Sequence, residues 1–311
     1  MTDLVVMGEM LVEIMREKVN AELYEAETFR GPYPSGAPAI CIDAAARLGC
    51  STALIGGVGK DDFGKCLLDR LKKDGVDVSH VLESETCSTG CAFVTYFEDG
   101  SRKFIFHMGN TPAVWAKAPA KGDFEGVKYM HIMGCSLMAD KTFAGEILKT
   151  MRGFAEEGTR ISFDPNIRKE LFTNDSITAV IEEVMQNTSV FLPGKEELLM
   201  ITGEEEIEAA VRKCFEYPKM EILVLKNGSK GSLLYTKDGV QEVGVYKVEQ
   251  KDATGAGDCF DGAFLAGLIQ GRSILDAAKM GAAAGALNAA AFGPMEGNIT
   301  LETVWEMIER E

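Results

Sequence analysis

The chain has 311 residues, 46% hydrophobic and 26% charged, which is enough to bury a sizeable core without disulfides or a structural metal. Its 48 acidic and 32 basic residues leave a net charge of -16 and no local basic patch, which argues against nucleic acid and anionic membrane surfaces as partners. The 8 cysteines form no CxxC pair and are joined by only 3 histidines, so neither a zinc site nor a disulfide framework is expected.

The start MTDLVVMGEM has neither the basic residues nor the long apolar run of a leader, and no segment reaches transmembrane length. The expected compartment is the cytoplasm. Residues 4–7 read as a first strand, and 37–48 as a helix with Pro38 near its start and Gly49 just beyond its end. A strand at 52–55 and a helix at 62–73, stopped by Gly75, complete the first α/β pattern.

The pattern then changes. Around Glu98-Asp99-Gly100-Ser101, residues 90–97 and 102–107 have the alternation and turn chemistry of a β-hairpin. Together with 11–15 and 21–34 they are expected to form a small separate sheet, either a lid over a site or an edge elaboration of the main sheet. From 127 the alternation resumes, with strands at 127–132, 160–164, 189–192 and 221–225 and helices at 140–157, 176–186 and 204–215. A hairpin at 231–248 and two Ala- and Gly-rich helices at 257–270 and 274–291 close the chain. The expected fold class is α/β, a mainly parallel sheet flanked by helices. One domain is expected from 1–10, 37–89 and 111–311, with a discontinuous β lid from 11–36 and 90–110.

The strongest motif is Asp252-Ala253-Thr254-Gly255-Ala256-Gly257-Asp258, which runs into the apolar helical face of Phe260, Phe264 and Leu268. A Gly-rich turn at a helix N-terminus leaves N–H groups unpaired, and these donors together with the helix dipole suit a phosphate. A carboxylate in that first turn can take a proton from a hydroxyl while the N–H groups hold the migrating charge. Helix capping by Asp258 is the rival, and the paired glycines with Asp252 favour the base.

Other segments are less specific. Gly59-Lys60-Asp61-Asp62-Phe63-Gly64-Lys65-Cys66 resembles a P-loop, but Cys66 replaces the metal-binding hydroxyl and two aspartates would repel phosphate. A polar turn explains it better. Asp164-Pro165-Asn166-Ile167-Arg168 ends a strand, where open α/β sheets bind ligands; Arg168 suits a phosphate or carboxylate, and a plain turn is the alternative. The acids of Pro193-Gly194-Lys195-Glu196-Glu197 either favour a helix dipole or orient hydrated Mg²⁺. Lys226-Asn227-Gly228-Ser229-Lys230-Gly231 is explained by a turn and, less strongly, by a loop beside a nucleotide.

These residues resemble the ribokinase-like (PfkB) carbohydrate kinase family, from the first strand to about Gly293. The motif at 252–258 is similar to the family's C-terminal signature. Ser35-Gly36, Ala46-Arg47-Leu48-Gly49 and Gly56-Gly57-Val58-Gly59 are similar to its N-terminal elements. Ser35, Ile40 and Gly194 depart from it, standing where Gly, Asn and Asn are usual.

The resemblance implies an ATP-dependent sugar kinase in which Asp258 is the base and Gly255, Ala256 and Gly257 form the anion hole. It further implies ATP along Lys226, Gly228, Gly231, Thr254 and Asn288, Mg²⁺ held through water at Glu197, and a monovalent cation such as K⁺ near Asp252. Glu13, Gly36, Arg168 and Asp258 are expected on the sugar. Phe106-His107-Met108-Gly109-Asn110 lacks the Tyr and Arg usual in acid-sugar kinases, which favours a ketohexose such as fructose or tagatose over 2-keto-3-deoxygluconate. A nucleoside kinase and a catalytically silent sugar- or nucleotide-binding protein are the remaining alternatives. A homodimer is expected from the exposed lid edges.

Overall fold

The computed structural model describes residues 2–167 and 175–310. Its central sheet runs β14-β13-β12-β11-β10-β9-β1-β4-β5, with β6 also paired to β4. In chain order these strands are β1 (Leu4–Met7), β4 (Thr52–Gly59), β5 (Val76–Asp77), β6 (Val81–Ser84), β9 (Tyr129–Met133), β10 (Arg160–Asp164), β11 (Thr188–Phe191), β12 (Ile222–Lys226), β13 (Ser232–Thr236) and β14 (Gly239–Val243). Pairing is parallel except at β12–β13 and β13–β14, where the expected hairpin folds back as an antiparallel edge.

Helices cover both faces, which is why the inner strands are buried on both sides instead of alternating between core and solvent. Leu4 and Val6 of β1 face one core, built with α1 (Ala37–Arg47), α2 (Asp62–Lys73), α8 (Ala256–Ile269), α9 (Ile274–Ala289) and α10 (Leu301–Glu309). Val5 and Met7 face the other, built with α3 (Gly134–Ala139), α4 (Lys141–Glu156), α5 (Asp175–Asn187), α6 (Lys195–Thr202) and α7 (Ile207–Cys214). The single helix expected at 204–215 is shorter and is preceded by α6. Gly203, at φ 70°, ends α6 in the left-handed conformation that glycine adopts without strain. No helix among the described residues is long and apolar enough to cross a membrane.

The second sheet has the order β3-β2-β7-β8, from β2 (Leu11–Arg16), β3 (Phe29–Ser35), β7 (Gly90–Tyr96) and β8 (Arg102–His107). It is separate from the main sheet, so the lid holds over the edge elaboration. Its two inner strands, β2 and β7, are parallel, and each outer strand is antiparallel to its neighbour. Of residues 21–34, only those from Phe29 onward join it. Residues 17–28 are instead wound around Arg16, whose guanidinium is 1% exposed and donates to the carbonyl oxygens of Glu22, Leu23, Glu25 and Glu27. The Phe29 ring lies 3.9 Å beneath it.

Candidate active site

The carboxyl ends of β1, β10, β11 and β12 meet the N-terminus of α8 beneath the lid sheet, around a cavity of about 430 Å³. This is where an open α/β sheet exposes loops that can converge on a ligand. Of the residues expected to act, Glu13, Gly36, Glu197, Lys226, Thr254, Gly255, Gly257 and Asp258 all line this cavity. Ala256 is the first residue of α8, between two of them. Gly228 and Gly231 are outside the lining, in a short 3-10 turn between β12 and β13. Arg168 lies outside the described residues.

The turn into α8 has a sharp backbone requirement. Gly255 is the N-cap at φ 77°, and a Cβ there would stand 2.4 Å from the Pro294 carbonyl oxygen. A side chain at this position would strain the backbone and collide with it. No side chain caps the helix; the Ala256 N–H donates to the Ala253 carbonyl at 3.3 Å, while Gly255 and Gly257 on either side of it line the cavity, where an uncapped helix start favours an anion. Asp258 is therefore not the cap. It lies one residue past Gly257 in the first turn, half-buried, and its Oδ1 accepts from Asn166 Nδ2 at 3.2 Å.

Behind this turn a set of buried polar side chains fixes the backbone. Asp252 accepts from the N–H of Thr254 at 2.9 Å and of Gly293 at 3.1 Å, and from the Tyr96 hydroxyl at 3.3 Å. Asn288, fully buried, donates to the carbonyls of Thr254 and Pro294 and accepts from the Gly297 N–H. Its amide is thus committed to backbone, and it supports the nest from behind without lining the cavity. Three donors thus hold the Asp252 carboxylate against the backbone of this turn.

Lys226 has a different setting from the turn expected of it. Its Nζ donates to Asp164 Oδ2 at 2.9 Å and to both oxygens of Asp261 at 3.1 Å, and a Cβ on Gly257 would be 4.0 Å from it. Burial opposes the ammonium, but the Asp164 and Asp261 carboxylates outweigh it and push its pKa well up. Burial raises Asp261, with Lys226 opposing. Asp164 is also buried, but Lys226 and its hydrogen bonds hold it below the usual carboxylate value. One ammonium between two carboxylates thus leaves a charged group beside the nest with its geometry fixed.

Glu197 accepts from the Ile167 N–H through Oε1 and from the Gly194 N–H through Oε2, each at 2.7 Å. It therefore ties the loop after β10 to the start of α6. Burial, with the Asp164 charge nearby, raises its pKa. Among the described residues no group of three or more His, Cys, Asp or Glu could cage a metal ion. Glu197 and Asp164, which both line the cavity, are the carboxylates that would hold a hydrated cation through its waters.

On the lid side, Ser35 Oγ donates to Glu13 Oε1 at 2.8 Å, and Gly36 sits at φ 103° with no room for a Cβ beside the Glu9 carbonyl. Phe104 and Phe106 stack at 5.3 Å and both line the cavity. Glu9, which the sequence reading passed over, lines the cavity too, and its carboxylate accepts from Cys135 Sγ and Ser136 Oγ. An acid two residues past the first strand of an α/β sheet was its available signal. Asn166 and Asp261 were also missed as site residues.

A family model described as pfkB family carbohydrate kinase matches residues 1–301. Fructokinase-1 of Oryza sativa subsp. japonica is 32% identical over 313 residues, covering 97% of this chain and 96% of that protein. The E. coli structure described as a ribokinase II in complex with ATP and Mg²⁺ is 34% identical, with a TM-score of 0.95 and full coverage of both chains. A fructokinase from Vibrio cholerae O395 bound to fructose, ADP and calcium is 25% identical with a TM-score of 0.84, covering 99% of each chain. The nest at the start of α8, the separate lid sheet and this full-length similarity agree: the chain belongs to the pfkB family of carbohydrate kinases.

Proposed function

We propose that this sugar kinase transfers the γ-phosphoryl group of ATP to a hydroxyl of a ketohexose of the fructose type, with Asp258 as base. The single observation carrying the role of Asp258 is that it stands beside an uncapped helix N-terminus without being the cap, and opens onto the cavity. The rice relative and the fructose-bound Vibrio structure support the ketohexose. In the transfer, a sugar hydroxyl oxygen bonds to the γ-phosphorus as its proton passes to Asp258. The bond from that phosphorus to the bridging oxygen breaks, and the electron pair leaves with ADP.

The N–H groups of Gly255 and Gly257 would meet the charge that migrates in this step, the Ala256 N–H being held by the Ala253 carbonyl, and Lys226 stands behind them. Mg²⁺ carried by the nucleotide would supply further neutralisation, and Glu197 and Asp164 would hold it through its waters. Glu13 and Gly36 shape the sugar end, and the lid sheet keeps bulk water out. A homodimer is part of the same reading, since Ile105 (44% exposed) and Phe106 (41%) lie on β8, an outer strand of the lid sheet. Sedimentation as a monomer at micromolar concentration would remove that part.

The test is an ADP-release screen with Mg-ATP over fructose, tagatose, 2-keto-3-deoxygluconate, ribose and nucleosides. Fructose or tagatose is expected to give the highest kcat/KM. Asp258→Asn should keep the wild-type circular dichroism and lose about 100- to 10,000-fold in kcat, the usual contribution of a general base. A fully active Asp258→Asn would sink the assignment, and a preference for the acid sugar would sink the substrate class.

A further inference from the structure

The hairpin end of the lid touches the phosphate end of the site. Tyr96, the last residue of β7, and Arg102, the first of β8, are cross-strand partners. The Tyr96 hydroxyl donates to Asp252 Oδ2, and Arg102 donates from Nη1 to Thr254 Oγ1 at 3.0 Å. Thr254 immediately precedes Gly255, and both Arg102 and Thr254 line the cavity.

A guanidinium carries five N–H donors. Among the described residues, Arg102 uses one of them on Thr254, and its other contact is the Phe104 ring at 5.9 Å. Arg102 is an exposed residue. Around it the nest is acidic: Asp252, Asp258, Asp164, Asp261 and Glu197 all lie on the main-sheet side, and Lys226 is already held between Asp164 and Asp261. A triphosphate reaching this nest needs positive charge not already committed to a carboxylate, and Arg102 brings it from the opposite wall. Planar guanidinium also matches phosphate oxygens two at a time.

We propose that Arg102 is a phosphate-binding residue contributed by the lid, which shares or releases Thr254 to hold the transferring phosphoryl group against the nest. Lid closure then does more than exclude water, because it delivers a charge that an open site lacks. This rests on the reading of the site as one of ATP-dependent phosphoryl transfer.

The test compares Arg102→Ala, Arg102→Lys and Thr254→Val in the full chain, with fructose and Mg-ATP. Arg102→Ala is expected to lose about 100- to 1,000-fold in kcat, as when one preorganised donor is removed from a developing charge. Fructose affinity measured without nucleotide should stay within about twofold, Arg102→Lys should recover part of the rate, and added guanidinium ion should partly rescue Arg102→Ala. Thr254→Val breaks the same hydrogen bond but keeps the charge, and should lose less than about tenfold. Equal losses in Arg102→Ala and Thr254→Val with no rescue would reduce Arg102 to a latch and overturn the proposal. So would wild-type turnover of Arg102→Ala while Asp258→Asn is inactive, which spares the reading beneath. An active Asp258→Asn would overturn that reading itself.

Discussion

Lys226→Met is the most informative single change outside the reacting groups. It removes the ammonium that lies 2.9 Å from Asp164 and 3.1 Å from both oxygens of Asp261, leaving two buried carboxylates beside each other. At about 3 Å and an effective dielectric of about 20, each lost attraction is about 5 kcal/mol gross. Proton uptake by a carboxylate offsets much of this, and Asp261, already pushed up by burial, takes a proton most readily. The net loss expected at pH 7.5 is about 3–5 kcal/mol, the range for breaking a buried pair by removing one partner.

The sign with pH follows from the same groups. In the wild type, Asp164 is held below its ordinary value, so its contribution is present above that value and lost in acid. In Lys226→Met both carboxylates titrate upward, so the variant gains stability as pH falls. Urea denaturation followed by circular dichroism from pH 5 to 8 should show the gap between the two proteins narrowing toward pH 5. Adding Asp164→Asn to Lys226→Met should recover part of the loss. A loss below about 1 kcal/mol, or a gap that does not move with pH, would refute the account of a charge-compensated triad.

Gly255→Ala must place a Cβ 2.4 Å from the Pro294 carbonyl at φ 77°. A loss of at least about 1–2 kcal/mol is expected from the left-handed backbone alone, with a fall in kcat read from steady-state kinetics; unchanged kcat would remove the nest from the mechanism. Two buried groups should shape stability against pH in opposite directions. Burial pushes the Asp43 carboxyl up to about 7 even with Arg70 and Arg47 close by, so relative to Asp43→Asn the wild type loses stability as pH rises from about 4 to about 7. Burial pushes His131 down to about 4, so relative to His131→Gln the wild type loses stability as pH falls from about 6.5 toward 4. The two displacements correspond to about 4 kcal/mol for Asp43 and about 3 kcal/mol for His131, and melting temperatures across pH 4.5 to 7.5 should show the two opposite slopes.

The repeating elements were legible because their periodicities are local: apolar runs mark strands covered on both faces, and Gly49 and Gly75 mark helix ends. The nest was legible for a similar reason, since its glycines and Asp258 are contiguous. What escaped the sequence is what distance along the chain conceals. Lys226 looked like part of a turn because Asp164 and Asp261, its true neighbours, are 62 and 35 positions away. Arg16 lies just past the run at 11–15, and nothing near it in sequence shows that a loop brings four carbonyl oxygens to it and makes burial favourable. Asn288 sits near the nest as expected, but its carbonyl and N–H partners turn a candidate nucleotide contact into a brace for the 254–297 backbone.

That brace has a bearing on how the protein comes into being on the ribosome. The walls around Glu13 and Gly36 and the whole lid sheet lie in the first part of the chain, whereas the support of Gly255 depends on Asn288, Gly293, Pro294 and Gly297. A nascent or C-terminally clipped chain ending before Gly293 leaves Asp252 without one of its backbone donors and Asn288 without two of its three partners. Such a chain also lacks Met295, Ile299 and Val304 of the core that β1 and α1 share, so the turn at Gly255 and the first strand lose support together.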